Sequence, residues 1–216
     1  MQVAILLFDR LTALDAIGPY EVLSRLPGVE LDFVAAKPGL VRTDTDRLGL
    51  EAGRSIAEVA SPEVVVVPGG EGNRPLLRDR PVLDWLRSAH QGSRYTTSVC
   101  TGSLLLGAAG ILDGLRATSH WAYVEHLAAF GATPVSERVV EDGKVITAAG
   151  VSSGIDMALH LAARLAGEDV AKGIQLGIEY DPAPPFDSGS PDKAPDHLVD
   201  AIRRLEDVSD LPAPAS

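Results

Sequence analysis

The chain has 216 residues, 45% of them apolar and 23% charged, which is the composition of one globular domain with room for a sheet covered on both faces. Its 19 basic side chains face 30 acidic ones, a net charge of −11 that opposes a phosphate backbone and argues against a nucleic-acid partner. The single cysteine, Cys100, excludes an internal disulfide and a cysteine-rich zinc site, and this cysteine usage fits a cytoplasmic protein.

Met1 leads directly into Val3-Ala4-Ile5-Leu6-Leu7-Phe8, an apolar run that reads as a strand buried on both faces. The run is too short to cross a membrane and lacks the basic start and cleavage site of a signal peptide, so no membrane partner is expected. Ala13 to Leu26 reads as a helix ended by Pro27-Gly28, and Val29 to Ala36 as a second strand. The polar, glycine-punctuated stretch 38–53 suggests a small hairpin. Val64 to Val67 is a four-valine buried strand that runs straight into Pro68-Gly69-Gly70. Pro75 to His90 is expected as one helix, with Leu76, Leu77, Val82, Leu83, Leu86 and Ala89 facing inward.

Tyr95 to Val99 reads as a strand, Gly102 to Gly110 as a helix and Tyr123 to Phe130 as another. Strands follow near 133–140 and 145–148, then helices at Gly154–Leu165 and Val170–Ile178. Strands alternating with helices predict a doubly wound α/β fold on a mainly parallel sheet. Beyond Asp181 five prolines crowd a short span. This suggests an arm over 181–195 and a late helix at His197–Leu205 within one domain spanning 1–207, followed by a frayed tail over 208–216.

Cys100 sits where the strand Tyr95–Val99 turns into a helix, in Ser98-Val99-Cys100-Thr101-Gly102. Such a nucleophile elbow is expected to hold the sulfur exposed above the sheet edge, with helix N–H groups and the positive dipole end favouring thiolate over thiol. Asp15 is an acid among apolar residues just after the first strand. Loops that follow parallel strands converge on one edge, so Asp15 and Cys100 are expected to meet there. A plain helix N-cap remains the competing reading of Asp15. Burial beside a thiolate would raise its pKa and let a protonated carboxyl act as general acid.

Gly69 and Gly70 follow a central strand and offer N–H groups suited to an oxyanion, though a tight turn explains them equally. Thr101 adds a hydroxyl and an N–H beside the sulfur. His120 and Trp121 lie 20 and 21 residues beyond Cys100, and a cysteine–histidine pair is a standard thiol activation. Leu11, Trp121, Tyr123 and Phe186 are candidates to line an apolar pocket or to be core. His90, His126, His160 and His197 fall on helix faces as structural or solvated residues, and no histidine spacing makes a metal site.

Five segments together resemble the ThiJ/PfpI superfamily: Leu14-Asp15-Ala16-Ile17-Gly18-Pro19, Val67-Pro68-Gly69-Gly70, Ser98-Val99-Cys100-Thr101-Gly102, Ala117-Thr118-Ser119-His120-Trp121 and Glu179-Tyr180-Asp181-Pro182-Ala183-Pro184-Pro185-Phe186. The resemblance spans about residues 1–190 and implies a flavodoxin-like fold. It is nearest the isocyanide hydratase branch, where an aspartate holds the first-helix position, here Asp15, and threonine follows the elbow cysteine, here Thr101. Peptidase-like members carry histidine directly after the nucleophile, and this chain does not.

The implied chemistry is attack of Cys100 on the terminal carbon of R–N≡C, with Asp15 managing the proton. A thioimidate forms, and water then releases a formamide. The Gly70 and Thr101 N–H groups would hold the sulfur or the intermediate. This scheme needs no redox cofactor and no metal, only a small-molecule substrate. The same domain forms the sensor half of AraC-type regulators, and some relatives act on 2-oxoaldehydes as glyoxalases or deglycases, so a ligand- or redox-sensing role and aldehyde chemistry stay open. The superfamily commonly forms homodimers, and the first helix or the 181–195 arm could supply a two-fold interface.

Overall fold

The computed structural model describes residues 1–206 and Leu211. Seven strands form the central sheet in the order β10-β11-β7-β6-β1-β2-β5. They are β1 (Gln2–Leu6), β2 (Glu30–Ala35), β5 (Arg54–Ser55), β6 (Val64–Val67), β7 (Tyr95–Val99), β10 (Val139–Asp142) and β11 (Val145–Ala148). All neighbours are parallel except β10 and β11, which form an antiparallel pair at the edge. Between β2 and β5 the chain makes an antiparallel hairpin of β3 (Gly39–Arg42) and β4 (Gly49–Ala52), as the glycine punctuation suggested. Two short strands, β8 (Arg116–Ala117) and β9 (Thr133–Pro134), pair with each other outside the main sheet.

The four valines of β6 are all buried, as are Val3 to Leu6 of β1. These central strands carry apolar side chains on both faces because helices cover both. On one side α1 (Ala13–Leu23) packs against α5 (Ser153–Ala166), which packs against α6 (Glu168–Gly177). On the other, α4 (Gly102–Ala108) packs on β6 and β7, and α3 (Arg80–Gly92) and a 3-10 helix (Val124–Phe130) pack against α4. The architecture is the doubly wound, flavodoxin-like α/β fold.

The expected single helix over Pro75–His90 is two helices, α2 (Asn73–Leu76) and α3. Asp79 caps α3, its carboxylate accepting the Val82 N–H at 3.2 Å, and Pro81 occupies the first turn, where its missing N–H costs nothing. The segment expected as an α-helix over Tyr123–Phe130 is 3-10 over its whole length and ends at Gly131 with φ 80°. The late helix is α7 (Asp196–Leu205), which has no fully buried residue. The expectation of a frayed tail falls on residues outside those described, apart from Leu211, which is buried at 9% exposure.

Close approach of α4 to β6 rests on one glycine. A Cβ on Gly102 would stand 2.1 Å from the Val67 carbonyl oxygen and 2.8 Å from that of Pro68. Backbone cannot yield as a side chain can, so Gly102→Ala should destabilise the fold by about 3 kcal/mol. Gly173→Ala in α6, where nothing lies within 4 Å of the added methyl, should be neutral or stabilise by up to about 1 kcal/mol. Urea denaturation of the two variants checks the contrast; equal stabilities would refute it.

Candidate active site

The loops that follow β1, β6, β7 and β11 meet over the carboxyl edge of the sheet. β2 lies on one side of β1 and β6 on the other, which makes this the topological switch point where α/β proteins bind ligands. The Thr12 N–H donates to the Gly69 carbonyl at 2.9 Å, and the Gly72 N–H to the Arg10 carbonyl at 3.2 Å, which ties the β1 and β6 loops together.

Cys100 ends β7 with φ 56°, a left-handed conformation that costs a non-glycine residue roughly 1 kcal/mol. The turn is fastened on both sides. Its N–H donates toward the carbonyls of Ala148 (3.1 Å) and Ala149 (2.8 Å), and its own carbonyl accepts from the hydroxyls of Ser103 and Ser119, each at 3.1 Å. The Ser119 contact draws the Ala117–Trp121 segment to the elbow, which places His120 on the cleft wall.

The sulfur differs from its sequence expectation. Cys100 is 6% exposed rather than held out in solvent. Burial, and then the nearby Asp15 carboxylate, push its thiol well above the ordinary range, whereas the Thr101 and Val151 N–H groups pull the other way with less effect. Burial therefore favours the neutral form of the sulfur, the opposite direction from the one the elbow position suggested. α4 is only seven residues long, too short for its dipole to outweigh the loss of water.

Asp15 is fully buried in the first turn of α1. Thr12, not Asp15, stands at the N-cap, so the capping alternative does not hold. Its Oδ2 accepts the Gly69 N–H at 2.9 Å, and its Oδ1 is buried without a hydrogen-bond partner. Burial raises its pKa from 3.8 to about 7, and the Asp44 charge adds to the rise; the Gly69 N–H and the Cys100 thiol offset part of it.

The glycine pair serves these side chains. Gly69 donates to Asp15, and the Gly70 N–H donates to Thr101 Oγ1 at 3.0 Å. Neither N–H is left for an oxyanion, which corrects the role expected of them, and only the Thr101 member of the expected N–H pair faces the sulfur. A Cβ on Gly69 would stand 2.6 Å from both the N and Oγ1 of Thr101, and one on Gly70 2.5 Å from the Thr12 N. Thr101 is held from behind as well, because Asn73 Nδ2 donates to its carbonyl at 2.9 Å. With its oxygen accepting from Gly70, the Thr101 hydroxyl keeps its proton to give to a ligand.

The cleft above the sulfur encloses about 190 Å3. His120 and Tyr123 line one wall and Leu104 and Val151 stand near the sulfur, with Glu206 and Leu211 from the far end of the chain also on the lining. Burial pushes the His120 pKa down and leaves the ring neutral, and its ring lies 5.9 Å from that of Tyr123. Trp121, 5.5 Å from the His120 ring, is not on the lining; the Arg203 guanidinium covers it at 5.7 Å. Leu11 is core and Phe186 is 79% exposed, so of the four apolar pocket candidates only Tyr123 lines the cleft. His90 pairs with Thr96 and His160 with Glu141, both away from the cleft. Among the described residues no group of three or more His, Cys, Asp or Glu side chains could hold a metal ion.

The pattern of the DJ-1/PfpI family matches residues 1–164. The chain belongs to the DJ-1/PfpI family. It is 48% identical over 204 residues to the isonitrile hydratase of Pseudomonas putida, covering 94% of this chain and 89% of that one. The crystal structure of a ThiJ/PfpI family protein from Pseudomonas syringae superposes with a TM-score of 0.93 at 37% identity, covering 97% of this chain and 86% of that chain. The HTH-type transcriptional regulator CdhR of Pseudomonas aeruginosa is 36% identical over 112 residues, covering 50% of this chain and 33% of the regulator.

Sequence reasoning missed several residues of this DJ-1/PfpI site. Asn73 and Arg74 follow the Gly-Gly loop of a central strand, a position that could have drawn attention. Ser103 and Ser119 read as small helix and loop residues. Glu206 and Leu211 carry no local signal, because their place depends on how the C-terminal segment docks.

A carboxyl whose pKa rises on folding stabilises the fold fully below its unfolded value of 3.8, and that contribution is lost as pH rises to about 7. The stability of wild type relative to Asp15→Asn should therefore fall by up to about 4 kcal/mol between pH 4 and pH 7 and level off above. Urea titrations across that range measure it, and parallel profiles for the two proteins would contradict the assignment.

Proposed function

We infer that this protein is an isocyanide hydratase, converting R–N≡C and water into an N-substituted formamide. The observation that carries the reading is the placement of Cys100, on the lining of a small cleft, beside the buried carboxyl of Asp15, with burial raising the pKa of both. Hydrating an isocyanide requires a nucleophile and a proton to join the same carbon. A thiol and a carboxyl side by side supply both from one direction, and the 48% identity to an isonitrile hydratase supports the same chemistry.

In this scheme the Asp15 carboxylate takes the Cys100 proton as sulfur attacks the terminal carbon, then gives that proton to the same carbon. The product of this step is the thioimidate R–N=CH–S–Cys100. Water adds to the C=N bond, its oxygen bonding to carbon and one proton reaching nitrogen. The resulting R–NH–CH(OH)–S–Cys100 collapses by breaking the C–S bond. The hydroxyl proton returns to sulfur by way of Asp15, releasing R–NH–CHO and restoring the thiol. The Thr101 and Val151 N–H groups steady charge on sulfur during attack and departure, and the Thr101 hydroxyl faces the nitrogen. No redox change occurs.

Among the described residues no helix is long and apolar enough to cross a membrane. A cytoplasmic location and a homodimer complete the reading. Leu14 on α1 and Phe186 on the arm are exposed apolar residues that a two-fold contact would cover.

The test is hydration of para-nitrophenyl isocyanide followed by ultraviolet absorbance. Cys100→Ala should abolish turnover, and Asp15→Asn should lower kcat by about 100-fold or more. Because attack needs the Asp15 carboxylate to accept a proton, kcat/KM should fall as pH drops through about 7 and stay level above it. Full activity in Cys100→Ala would refute the mechanism. Formamide production absent from a folded wild type, with turnover of methylglyoxal instead, would move the function to aldehyde chemistry; binding without turnover of either would favour a sensor.

A further inference from the structure

The lining of the cleft carries charged side chains, and their balance is unequal. Asp44, Glu71 and Glu206 all line the cleft, and Arg74 is the one cationic side chain on the lining among the described residues. Glu71 is paired outward with Arg10 at the exposed rim. Arg74 acts on the Tyr123 hydroxyl, and that hydroxyl donates to Glu206 Oε2 at 2.6 Å. His120 adds no positive charge, since burial keeps its ring neutral.

Glu206 reaches the cleft from the C-cap of the late helix, 83 residues along the chain from its partner Tyr123. Its charge is felt at the reacting centre, where it adds to the rise at Cys100. Asp44 likewise acts on Asp15. The carboxylates are therefore coupled to the space a substrate side group must occupy, and not only to bulk water.

Resting on the hydratase reading for the identity of the reacting group, we propose that Glu206 is a specificity-determining residue that selects isocyanides with neutral or cationic side groups and excludes those bearing a carboxylate or sulfonate. A substrate anion on this wall would meet carboxylates with too few cations to offset them, in a cleft with limited water. A cation would be held by Glu206 in the cleft, with the Tyr123 hydroxyl fixing the carboxylate in place. Leu211 beside it gives the wall an apolar part against which an aryl or alkyl group can lie.

The experiment compares kcat/KM for phenyl isocyanide, its para-carboxylate and its para-trimethylammonium derivative in wild type and Glu206→Gln. The amide keeps an acceptor for Tyr123 and removes only the charge. Wild type should prefer the cationic over the anionic compound by at least tenfold, and Glu206→Gln should shrink that ratio by about tenfold, the effect of one unit charge several ångströms away in a partly wet site. A second measurement does not need turnover. Cys100 is modified with cationic (2-trimethylammonioethyl) and anionic (2-sulfonatoethyl) methanethiosulfonates, and the ratio of rates is taken for both proteins. The cationic reagent should react faster in wild type, with the ratio reduced in Glu206→Gln. If neutral phenyl isocyanide is not hydrated but the reagent ratio behaves so, the charge selection stands and the hydratase reading falls. Equal ratios in wild type and Glu206→Gln, in either measurement, would overturn the role of Glu206.

Discussion

A carboxyl and a thiol are pressed together where little water reaches, and the carboxyl has a single backbone hydrogen bond, from Gly69, to stabilise its charge. Two negative charges cannot coexist there, because each raises the pKa of the other and burial raises both. The pair therefore behaves as one titrating unit that holds at least one proton near neutral pH. Where that proton sits, on sulfur or on oxygen, is the variable the surrounding structure controls. The Thr101 and Val151 N–H groups lower the cost of charge on sulfur, and the Gly69 N–H lowers it on oxygen. A proton free to move between the two atoms needs both sets of donors.

Holding that pair demands backbone approaches that side chains forbid. The β6 loop must lie against both the β1 loop and the start of α4, and Gly69, Gly70 and Gly102 are the points of contact. Cys100 itself stays in a left-handed turn because its carbonyl has two hydroxyl donors and its N–H two carbonyl acceptors. Those bonds contribute on the order of 1 kcal/mol each, enough to offset the conformational cost of the turn. The strain is thus local, and the sheet beneath is regular.

The sheet was legible because β1 and β6 at its centre are apolar runs and β7 is rich in β-branched residues, and the hairpin because glycines mark its ends. The helix over 75–90 was misjudged since its inward positions keep helical spacing across the break. Pro81 with Asp79 before it was the overlooked sign of a new start. Cys100 and Thr101 stood out because they directly follow a strand, and Asp15 because it is an acid among apolar residues at the start of the helix after β1. The state of the sulfur was not legible, because a helix dipole can be read from sequence and the depth of burial cannot. The same holds for Glu206 and Leu211: nothing in Arg203-Arg204-Leu205-Glu206 says that its end will rest on Tyr123.

The burial of the Cys100 sulfur also bears on which chemistry the family fold is put to here. Oxidation and alkylation are reactions of the thiolate, and cysteines that sense oxidants are exposed and of low pKa. Cys100 is 6% exposed, and burial raises its pKa. An isocyanide, by contrast, accepts a proton at the carbon that sulfur attacks. Its reaction becomes favourable when nucleophile and acid move together, and a standing thiolate offers no advantage. The burial that suppresses indiscriminate thiol reactivity thus leaves one class of electrophile whose own demand for a proton the adjacent carboxyl can meet, and the site gains selectivity from the same desolvation that made its sulfur look inert.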